Sequence, residues 1–483
     1  MIGRVSAEVA YVFRHALLRD AAYQLQLPGD RERLHGLAFE LIEDFCGGRP
    51  PKPAPLDSGE PSNFHAHSTD PFAAALAEHA HLAGRAIEAD PGRADLESLI
   101  SAQKLYLRRA AEHSEQRADD RSAEISWQKL SELVRGAEKG ESLRLAAMAA
   151  HRAGRPKNGE PLLEKALAIL REAGHRRLEG IARDNMAGLY RETGRVELAE
   201  RSYTEALAIH REAGDRRLEG LALGNLGALY YETARTGLAE RSYTSAIAIH
   251  REVGNRSYLG MVMGNLASLY RDTQRSEAAE RNFTDALAIL RAAGSRRFEG
   301  IVLGNLAILY SNTGRVELAE RTYGEALSIH RELGNVRFVG IELGNLANLY
   351  ANTGRLDLAE RSHSDSLSIH REVSNRRFEG VALGNLAELY ENTGRLELAE
   401  RNYKEALSIH RVVGHRRFEG IHECRYALLL LALGRVGPAR ETWRHGASIL
   451  RQIGGAPWLD SMKSTMWEAC AKACAPPFEG PSA

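Results

Sequence analysis

Apolar residues recur along most of the chain with the spacing of one face of an α-helix. The segment that begins at Phe298 has such a face, formed by Leu303, Leu306, Ala307 and Tyr310. The segment that begins at Arg315 has another, formed by Leu318, Ala319, Tyr323, Ala326 and Leu327. Residues at i, i+3, i+4 and i+7 share one side of a helix. The pattern therefore predicts two consecutive amphipathic helices.

The predicted helix pair repeats every 40 residues from about residue 178 to about residue 450. A glycine follows the first helix of a copy, as at Gly314, Gly354 and Gly394. Such a glycine suits the left-handed position that ends many helices. A second stop and an N-cap residue follow the second helix, as in Gly214-Asp215 and Gly334-Asn335. Each copy is thus predicted to be a helical hairpin, and stacked hairpins bury the apolar faces that one hairpin leaves open.

The order of large and small residues resembles the tetratricopeptide repeat (TPR). The motif is Leu306-Ala307-x-x-Tyr310 in the first helix, followed by Ala319, Tyr323 and Ala326 in the second. The 40-residue form is similar to the repeats of the Pins/LGN polarity scaffolds and of kinesin light chains. The resemblance implies an all-α fold, a right-handed superhelical solenoid of antiparallel helix pairs. It also implies a concave groove, lined by the first helices, that binds a protein or peptide.

The ends of the chain depart from the repeat and suggest a domain organisation. We expect a segment at 1–46 that precedes the repeats, a Pro/Ser/Gly-rich linker at 47–71 and a divergent helical region at 72–140. A TPR array of about eight hairpins is expected at 141–457, with degenerate copies as caps. A capping helix at 458–474 and a disordered tail at 475–483 would complete the chain.

The segment at 1–46 has its own motif, made by Phe13, His15, Leu17, Ala22, Tyr23, Arg31 or Arg33, Leu34 and His35. It resembles the end of the winged-helix region in bacterial signal-transduction ATPases with numerous domains (STAND), where such a segment leads into a TPR array. In that family the histidine at the position of His15 contacts the β-phosphate of ADP. The chain contains no GxxxxGK[ST] phosphate loop. His15 would therefore bind nucleotide only if an ATPase module is supplied, and otherwise it caps or packs a helix.

The composition narrows the classes of function. Basic and acidic residues balance at 64 each, so the positive surface of a nucleic-acid-binding protein is not expected. Four cysteines predict a reducing, cytoplasmic environment, and no apolar run approaches the length of a membrane span. No nucleophile motif, paired-carboxylate site or metal-ligand cluster stands out from the repeats. We therefore expect no enzymatic activity, no cofactor and no metal.

An asparagine occupies one position of the first helix in six copies: Asn185, Asn225, Asn265, Asn305, Asn345 and Asn385. In TPR proteins an asparagine here commonly hydrogen-bonds the backbone of a bound peptide. A side-chain amide offers both a donor and an acceptor. The alternative is that each asparagine bonds a carbonyl of the adjacent repeat and serves stacking alone. Glycines precede most of these asparagines and would permit close approach of a ligand or of a neighbouring backbone: Gly224, Gly264, Gly304, Gly344 and Gly384.

Two further rows on the first helices are predicted to face the groove. The polarity scaffolds often carry an arginine in the first row, where this chain has Leu221, Met261, Ile301, Ile341 and Val381. We therefore expect a more apolar groove, which disfavours an acidic ligand. The second row varies and could set specificity: Ala228, Ser268, Ile308, Asn348 and Glu388.

Histidines and arginines also recur, and we interpret both as structural. Equivalent histidines lie at His210, His250, His330, His370 and His410. Stacked helices are separated by about 8–10 Å, whereas zinc–nitrogen bonds are about 2 Å. Paired arginines, such as Arg216-Arg217, are interpreted as solvated turns that pair with glutamates of the Glu200 type.

Two hypotheses of function follow. The leading one is a non-enzymatic scaffold that binds a protein or peptide in the concave groove, without direct nucleic-acid or membrane binding. The alternative is the sensor arm of a STAND-type signalling ATPase or transcriptional regulator whose nucleotide-binding module is absent from this chain.

Overall fold

The computed structural model describes residues 27–58, 64–88, 96–453 and 456–479. Within these ranges the regular structure is helical, and no strand occurs. The chain divides into two compact units: Met1–Arg152 with Pro161–Leu178, and Ala153–Glu160 with Glu179–Ala483. The described residues include no helix long and apolar enough to cross a membrane. The predicted motif residues Phe13, His15, Leu17, Ala22 and Tyr23 lie outside the described part.

The first unit contains helices without the 40-residue register. They are α1 (Pro28–Phe45), a 3₁₀ turn (Asp70–Phe72), α2 (Ala73–Glu88), α3 (Leu96–Gln116), α4 (Asp120–Leu133) and α5 (Gly136–Arg152). Helix α6 (Pro156–Glu172) includes residues of both units. Buried Tyr106 and Trp127 lie in the core of the first unit. The segment expected to be a linker is held on α3, since Arg109 donates hydrogen bonds to Asp70 at 2.6 Å and to the carbonyl of His65 at 2.9 Å.

Seven hairpins follow in series, and apart from residues 176–178 they belong to the second unit. Their first helices are α7 (Arg176–Glu192), α9 (Arg216–Glu232), α11 (Arg256–Asp272), α13 (Arg296–Asn312), α15 (Val336–Asn352), α17 (Arg376–Asn392) and α19 (Arg416–Ala432). Their second helices are α8 (Val196–Glu212), α10 (Thr236–Glu252), α12 (Ser276–Ala292), α14 (Val316–Glu332), α16 (Leu356–Glu372), α18 (Leu396–Val413) and α20 (Val436–Gln452). We number them hairpins 1 to 7. The predicted right-handed solenoid of antiparallel helix pairs is confirmed.

A last helix, α21 (Ala456–Lys472), packs against hairpin 7. Trp443 and Met466 are fully buried in this C-terminal core. Within the segment expected to be a disordered tail, Phe478 is buried in the same core and the carbonyl of Glu479 accepts a hydrogen bond from Trp467 at 3.0 Å. The described part of the tail is therefore packed.

The hairpin ends show which local predictions hold. Gly314, Gly354 and Gly394 have φ of +72°, +75° and +75°, so their predicted left-handed position is confirmed. Asp215 caps its helix by accepting a hydrogen bond from the backbone N–H of Leu218 at 3.1 Å. Asn335 occupies the predicted N-cap position before α15, but its side chain makes no capping hydrogen bond.

The two helices of a hairpin approach closely where a glycine of the first faces a large residue of the second. A Cβ atom added to Gly300 would lie 2.6 Å from Cε1 of His330, and one added to Gly380 would lie 2.6 Å from Cε1 of His410. At hairpin 3 the same place is taken by Gly260 and a leucine, Leu290. These glycines therefore make room for a buried side chain of the partner helix.

Successive hairpins are joined by a repeated group of an arginine, a tyrosine and a glutamate. Arg275 stacks over the ring of Tyr270 at 4.1 Å and pairs with Glu240 of the preceding hairpin at 3.0 Å. The tyrosine hydroxyl donates to the same carboxylate at 3.0 Å. The equivalent arginine–glutamate pairs are Arg195–Glu160, Arg235–Glu200, Arg315–Glu280, Arg355–Glu320, Arg395–Glu360 and Arg435–Glu400.

These pairs correct the interpretation of the paired arginines. Arg216 does not pair with a glutamate of the Glu200 type. It pairs instead with Glu219 on its own helix at 2.5 Å and with Glu252 at the end of the same hairpin at 2.6 Å. Sequence spacing did not distinguish the two sets, because each repeat contains several arginines and glutamates.

Candidate functional site: the groove of the second unit

A cavity of about 390 Å³ lies along the first helices of hairpins 2 to 4. Three of the predicted asparagines line it, Asn225 on α9, Asn265 on α11 and Asn305 on α13. Leu221 and Met261, from the row expected to be apolar, line it as well. The structure thus brings half of the asparagine row together with two apolar side chains around one space.

The hydrogen bonds of these asparagines bear on the two interpretations of the row. The side chains of Asn225, Asn265, Asn305 and Asn385 are half-buried and make no hydrogen bond to any described residue. A bond to the adjacent repeat, which the stacking interpretation requires, is therefore not formed at these four positions. Asn345 bonds Glu342 on its own helix, and Asn185 also has a partner.

The glycines that precede the asparagines have a structural role. A Cβ atom on Gly224 would lie 3.5 Å from Val262, and one on Gly264 would lie 2.8 Å from Val302. Both partners come from the first helix of the next hairpin. These glycines therefore permit neighbouring first helices to pack closely, and the approach of a ligand is not needed to explain them.

The other predicted groove residues have varied environments. Ile301, Ile341 and Val381 are half-buried, one turn before their asparagines. Ile308 packs beside the buried cluster that contains Tyr323, whereas Asn348 is exposed. Glu388 forms an ion pair with Arg425 of hairpin 7.

The histidine row is buried against the hairpin interior. His330 and His410 are both 0% exposed. Burial lowers the pKa of His330, and it lowers the pKa of His370 and of His410 to about 4. The described residues contain no group of three or more His, Cys, Asp or Glu side chains arranged to hold a metal ion. The row packs the hairpins, as its interpretation required.

Two arginines of the cavity escaped the sequence analysis. Arg191 and Arg271 line it from the ends of α7 and α11. Each stands six residues after an asparagine of the row. In the other four copies of the repeat that contain the asparagine, this position is occupied by Tyr231, Ser311, Ala351 and Glu391. Because this position does not repeat, a search for recurring residues passes over it. The groove is apolar in the row before the asparagines, and at this later position it carries an arginine in hairpins 1 and 3.

The array also returns on itself, so that hairpin 1 contacts hairpins 6 and 7. Arg377 of α17 pairs with Glu192 of α7 at 3.1 Å. A Cβ atom added to Gly194 would lie 3.0 Å from Ile453, at the end of α20. A second cavity, of about 220 Å³, lies at this junction and shares Arg191 and Glu232 with the first. Arg417 of α19 also lines it.

Comparison with known proteins places these features in a family. The model of the tetratricopeptide repeat matches residues 138–212, 179–252, 218–292, 258–332 and 341–411, together more than half of the chain. No curated relative matches the chain by sequence.

Solved structures with a similar fold share little sequence with the chain. A Rap protein complexed with competence and sporulation factor is 13% identical, with a TM-score of 0.51, over 71% of this chain and 99% of its own. BtubC (BKLC) from P. vanneervenii is 22% identical, with a TM-score of 0.39, over 47% and 91%. A STAND protein with a tetratricopeptide repeat sensor from Pyrococcus horikoshii is 16% identical, with a TM-score of 0.45, over 95% and 67%. At these identities the likeness concerns the fold alone.

Proposed function

Because the chain belongs to the tetratricopeptide repeat family, whose repeats form protein-interaction scaffolds, we propose that its second unit binds an extended segment of a partner protein in the groove. The observation that carries the proposal is the set of Asn225, Asn265 and Asn305. These amides line one cavity and have no hydrogen-bond partner among the described residues.

The spacing of the asparagines suits an extended backbone. Packed helices lie about 8–10 Å apart, and an extended chain rises about 3.3 Å per residue. Asparagines on consecutive hairpins would thus meet the ligand at about every third residue. Each amide offers a donor and an acceptor, which matches the N–H and C=O groups of a peptide. The recognition needs no catalytic step, and we propose a scaffold without enzymatic activity.

Selection of peptides tests this proposal directly. A phage-displayed library of random 12-residue peptides is selected on the immobilised full chain, and enriched peptides are synthesised. Their affinity is measured by fluorescence anisotropy for the wild type and for the triple variant Asn225→Ala/Asn265→Ala/Asn305→Ala. Net hydrogen bonds contribute about 0.5–1.5 kcal/mol each, so the triple variant should bind at least about tenfold more weakly.

Two controls separate binding from folding. Asn282→Ala and Asn402→Ala remove asparagines from the second helices α12 and α18 and should leave affinity unchanged. Circular dichroism should show the same helical content in all variants, and Asn265→Ala alone replaces the triple variant if that one unfolds. If the wild type enriches no peptide, or if the enriched peptides bind the wild type and the triple variant equally well, the groove is not the binding site.

The sensor-arm alternative has one observation in its favour. Helix α1 exposes apolar side chains along one face, with Leu41 68% and Phe45 82% exposed. Leu34 and Leu37 lie on the same face and are about half exposed. A separate ATPase module that packs on α1 would cover this face. The test is a search of the adjacent upstream reading frame for a phosphate-binding loop, and a frame without one would refute this alternative.

A further inference from the structure

We propose that the groove holds a subsite for one acidic side chain of the bound segment, formed by Arg271 and Arg417. The inference rests on the proposed function and adds the charge of the ligand and its place in the groove. It reverses the expectation from the apolar row, which disfavoured an acidic ligand.

Arg271 lines the cavity and carries a hydrogen-bond donor that no described residue accepts. Its Nε donates to the carboxylate of Asp272 at 2.7 Å, and the hydroxyl of Tyr231 donates to the other oxygen of that carboxylate. Its Nη1 is buried and has no hydrogen-bond acceptor in the described part of the chain. The side chain is 12% exposed and begins on the helix that carries Asn265. A buried donor without an acceptor costs about 1–3 kcal/mol, and a ligand carboxylate would remove that cost.

Arg417 of hairpin 7 lines the second cavity, which shares Arg191 and Glu232 with the first, and it lies near Tyr231 and Asp272, the neighbours of Arg271. Its guanidinium stacks over Trp458 at 3.9 Å, and its Nε is buried without an acceptor. Within the described residues it forms no ion pair, although Glu232, Tyr231 and Asp272 are near enough to affect it electrostatically. Burial lowers the pKa of Arg417, because the surroundings do not fully compensate its charge.

The charges of the described residues at this end of the groove leave one positive charge in excess. Three ion pairs are formed, Arg377 with Glu192 at 3.1 Å, Arg191 with Glu232 at 3.6 Å and Arg271 with Asp272 at 2.7 Å. Arg416 pairs with Glu419 on its own helix at 2.9 Å. Among the described residues of this region, Arg417 is the guanidinium that remains without an ion pair. Its side chain is half-buried and unpaired within the described ranges, a charge withdrawn in part from water is costly, and a single carboxylate from the ligand balances it.

The position of the subsite favours a side chain over the end of a peptide. Arg271 belongs to hairpin 3, and unpartnered asparagines lie on hairpins 2 and 4 on either side of it. A segment that contacts both Asn225 and Asn305 continues past Arg271 in both directions. The carboxylate there would consequently belong to an internal aspartate or glutamate.

The peptides enriched by the wild type provide the probe. In each of them every acidic residue is changed singly to its amide, Asp to Asn or Glu to Gln, and a further version carries an amidated C-terminus. Affinities are measured for the wild type, Arg271→Gln, Arg417→Gln and the control Arg281→Gln. Arg281 is exposed on the second helix α12 and forms no ion pair among the described residues.

Neutralising one acid should weaken binding to the wild type and to Arg281→Gln about tenfold or more, as expected for a charge-assisted bond. The same change should weaken binding to Arg271→Gln and to Arg417→Gln by a several-fold smaller factor than in the wild type, because each variant keeps only one of the two arginines that recognise the acid. Arg417→Gln breaks no ion pair and keeps the test valid if Arg271→Gln misfolds.

The outcomes separate this inference from the function on which it rests. If the peptides bind the triple asparagine variant more weakly but tolerate every acid-to-amide change, the subsite proposal is wrong and the groove proposal stands. A loss caused only by amidation of the C-terminus would also overturn it, since the carboxylate would then be terminal. A loss equal in the wild type and in both arginine variants would place the acid elsewhere.

Discussion

Replacing Gly300 with alanine should destabilise hairpin 4, although alanine is the better helix former. Gly300 lies inside α13, and a Cβ atom there would lie 2.6 Å from Cε1 and 2.8 Å from Nε2 of His330. His330 is 0% exposed and stacks on Phe338 with 5.0 Å between ring centroids. The imidazole therefore has no space into which to move.

The expected magnitude follows from two opposing effects. Overpacking a close-packed interior costs about 1–3 kcal/mol, while alanine gains about 0.5–1 kcal/mol over glycine inside a helix. The net loss should be about 1–2 kcal/mol. Gly324 on α14 provides the matched control, because it is exposed and a Cβ atom there would meet nothing within 4 Å. Gly324→Ala should stabilise the protein by about 0.5–1 kcal/mol.

Hydrogen exchange measures the effect where it arises. Repeat arrays need not unfold in one step, so a global midpoint alone is insufficient. Amides of α13 and α14 should exchange about tenfold faster in Gly300→Ala for each 1.4 kcal/mol lost, and more slowly in Gly324→Ala. If both variants slowed exchange equally, the close contact between Gly300 and His330 would not constrain the hairpin, and the reasoning would be refuted.

Two further predictions concern buried charge and the contact between hairpins. Burial raises the pKa of Glu342 to about 8 in the folded protein. Between about pH 4.5 and 8 the unfolded chain therefore binds fewer protons than the folded one, and the free energy of unfolding falls as pH rises. Glu342→Gln should therefore raise the urea midpoint at pH 8.5 but not at pH 4.5, and the exposed Glu372→Gln should change neither. Arg315→Lys should lower the free energy of unfolding, measured in urea, by about 1 kcal/mol. A lysine cannot both stack on Tyr310 and form the ion pair with Glu280, as Arg315 does. Equal losses in Arg315→Lys and the exposed control Arg321→Lys would contradict this.

The fold was predictable because its determinants repeat. Apolar spacing within a helix and the 40-residue period both reflect local geometry that each hairpin must satisfy. The left-handed Gly314 follows from the same logic, since a helix that ends in a tight turn favours glycine. Asn335 shows the limit of such reasoning. It has a residue type that suits capping, yet its side chain makes no cap bond, and a residue type alone does not determine a rotamer.

The groove was only partly predictable, because its charge comes from residues that do not repeat. The asparagine row was visible from its period, and the structure brings Asn225, Asn265 and Asn305 around one cavity. Arg271 occupies a position that carries arginine only in hairpins 1 and 3. Arg417 lies more than 140 residues further along the chain. Both arginines lie near Tyr231 and Asp272, and this depends on the curvature of the array, which accumulates from small rotations between hairpins and leaves no pattern in the sequence.

The return of the array changes how its ends depend on one another. In an open solenoid each hairpin contacts only its neighbours, and the ends fray first. In this unit the ion pair between Glu192 and Arg377 and the contact of Gly194 with Ile453 join hairpin 1 to hairpins 6 and 7. Loss of either end therefore also removes contacts from the other. The uncompensated Arg417 lies at this junction, so a ligand carboxylate that neutralises it would also stabilise the contact between the ends. By linkage, the array in which hairpin 1 contacts hairpins 6 and 7 must then bind that ligand more tightly than an array in which these contacts are broken.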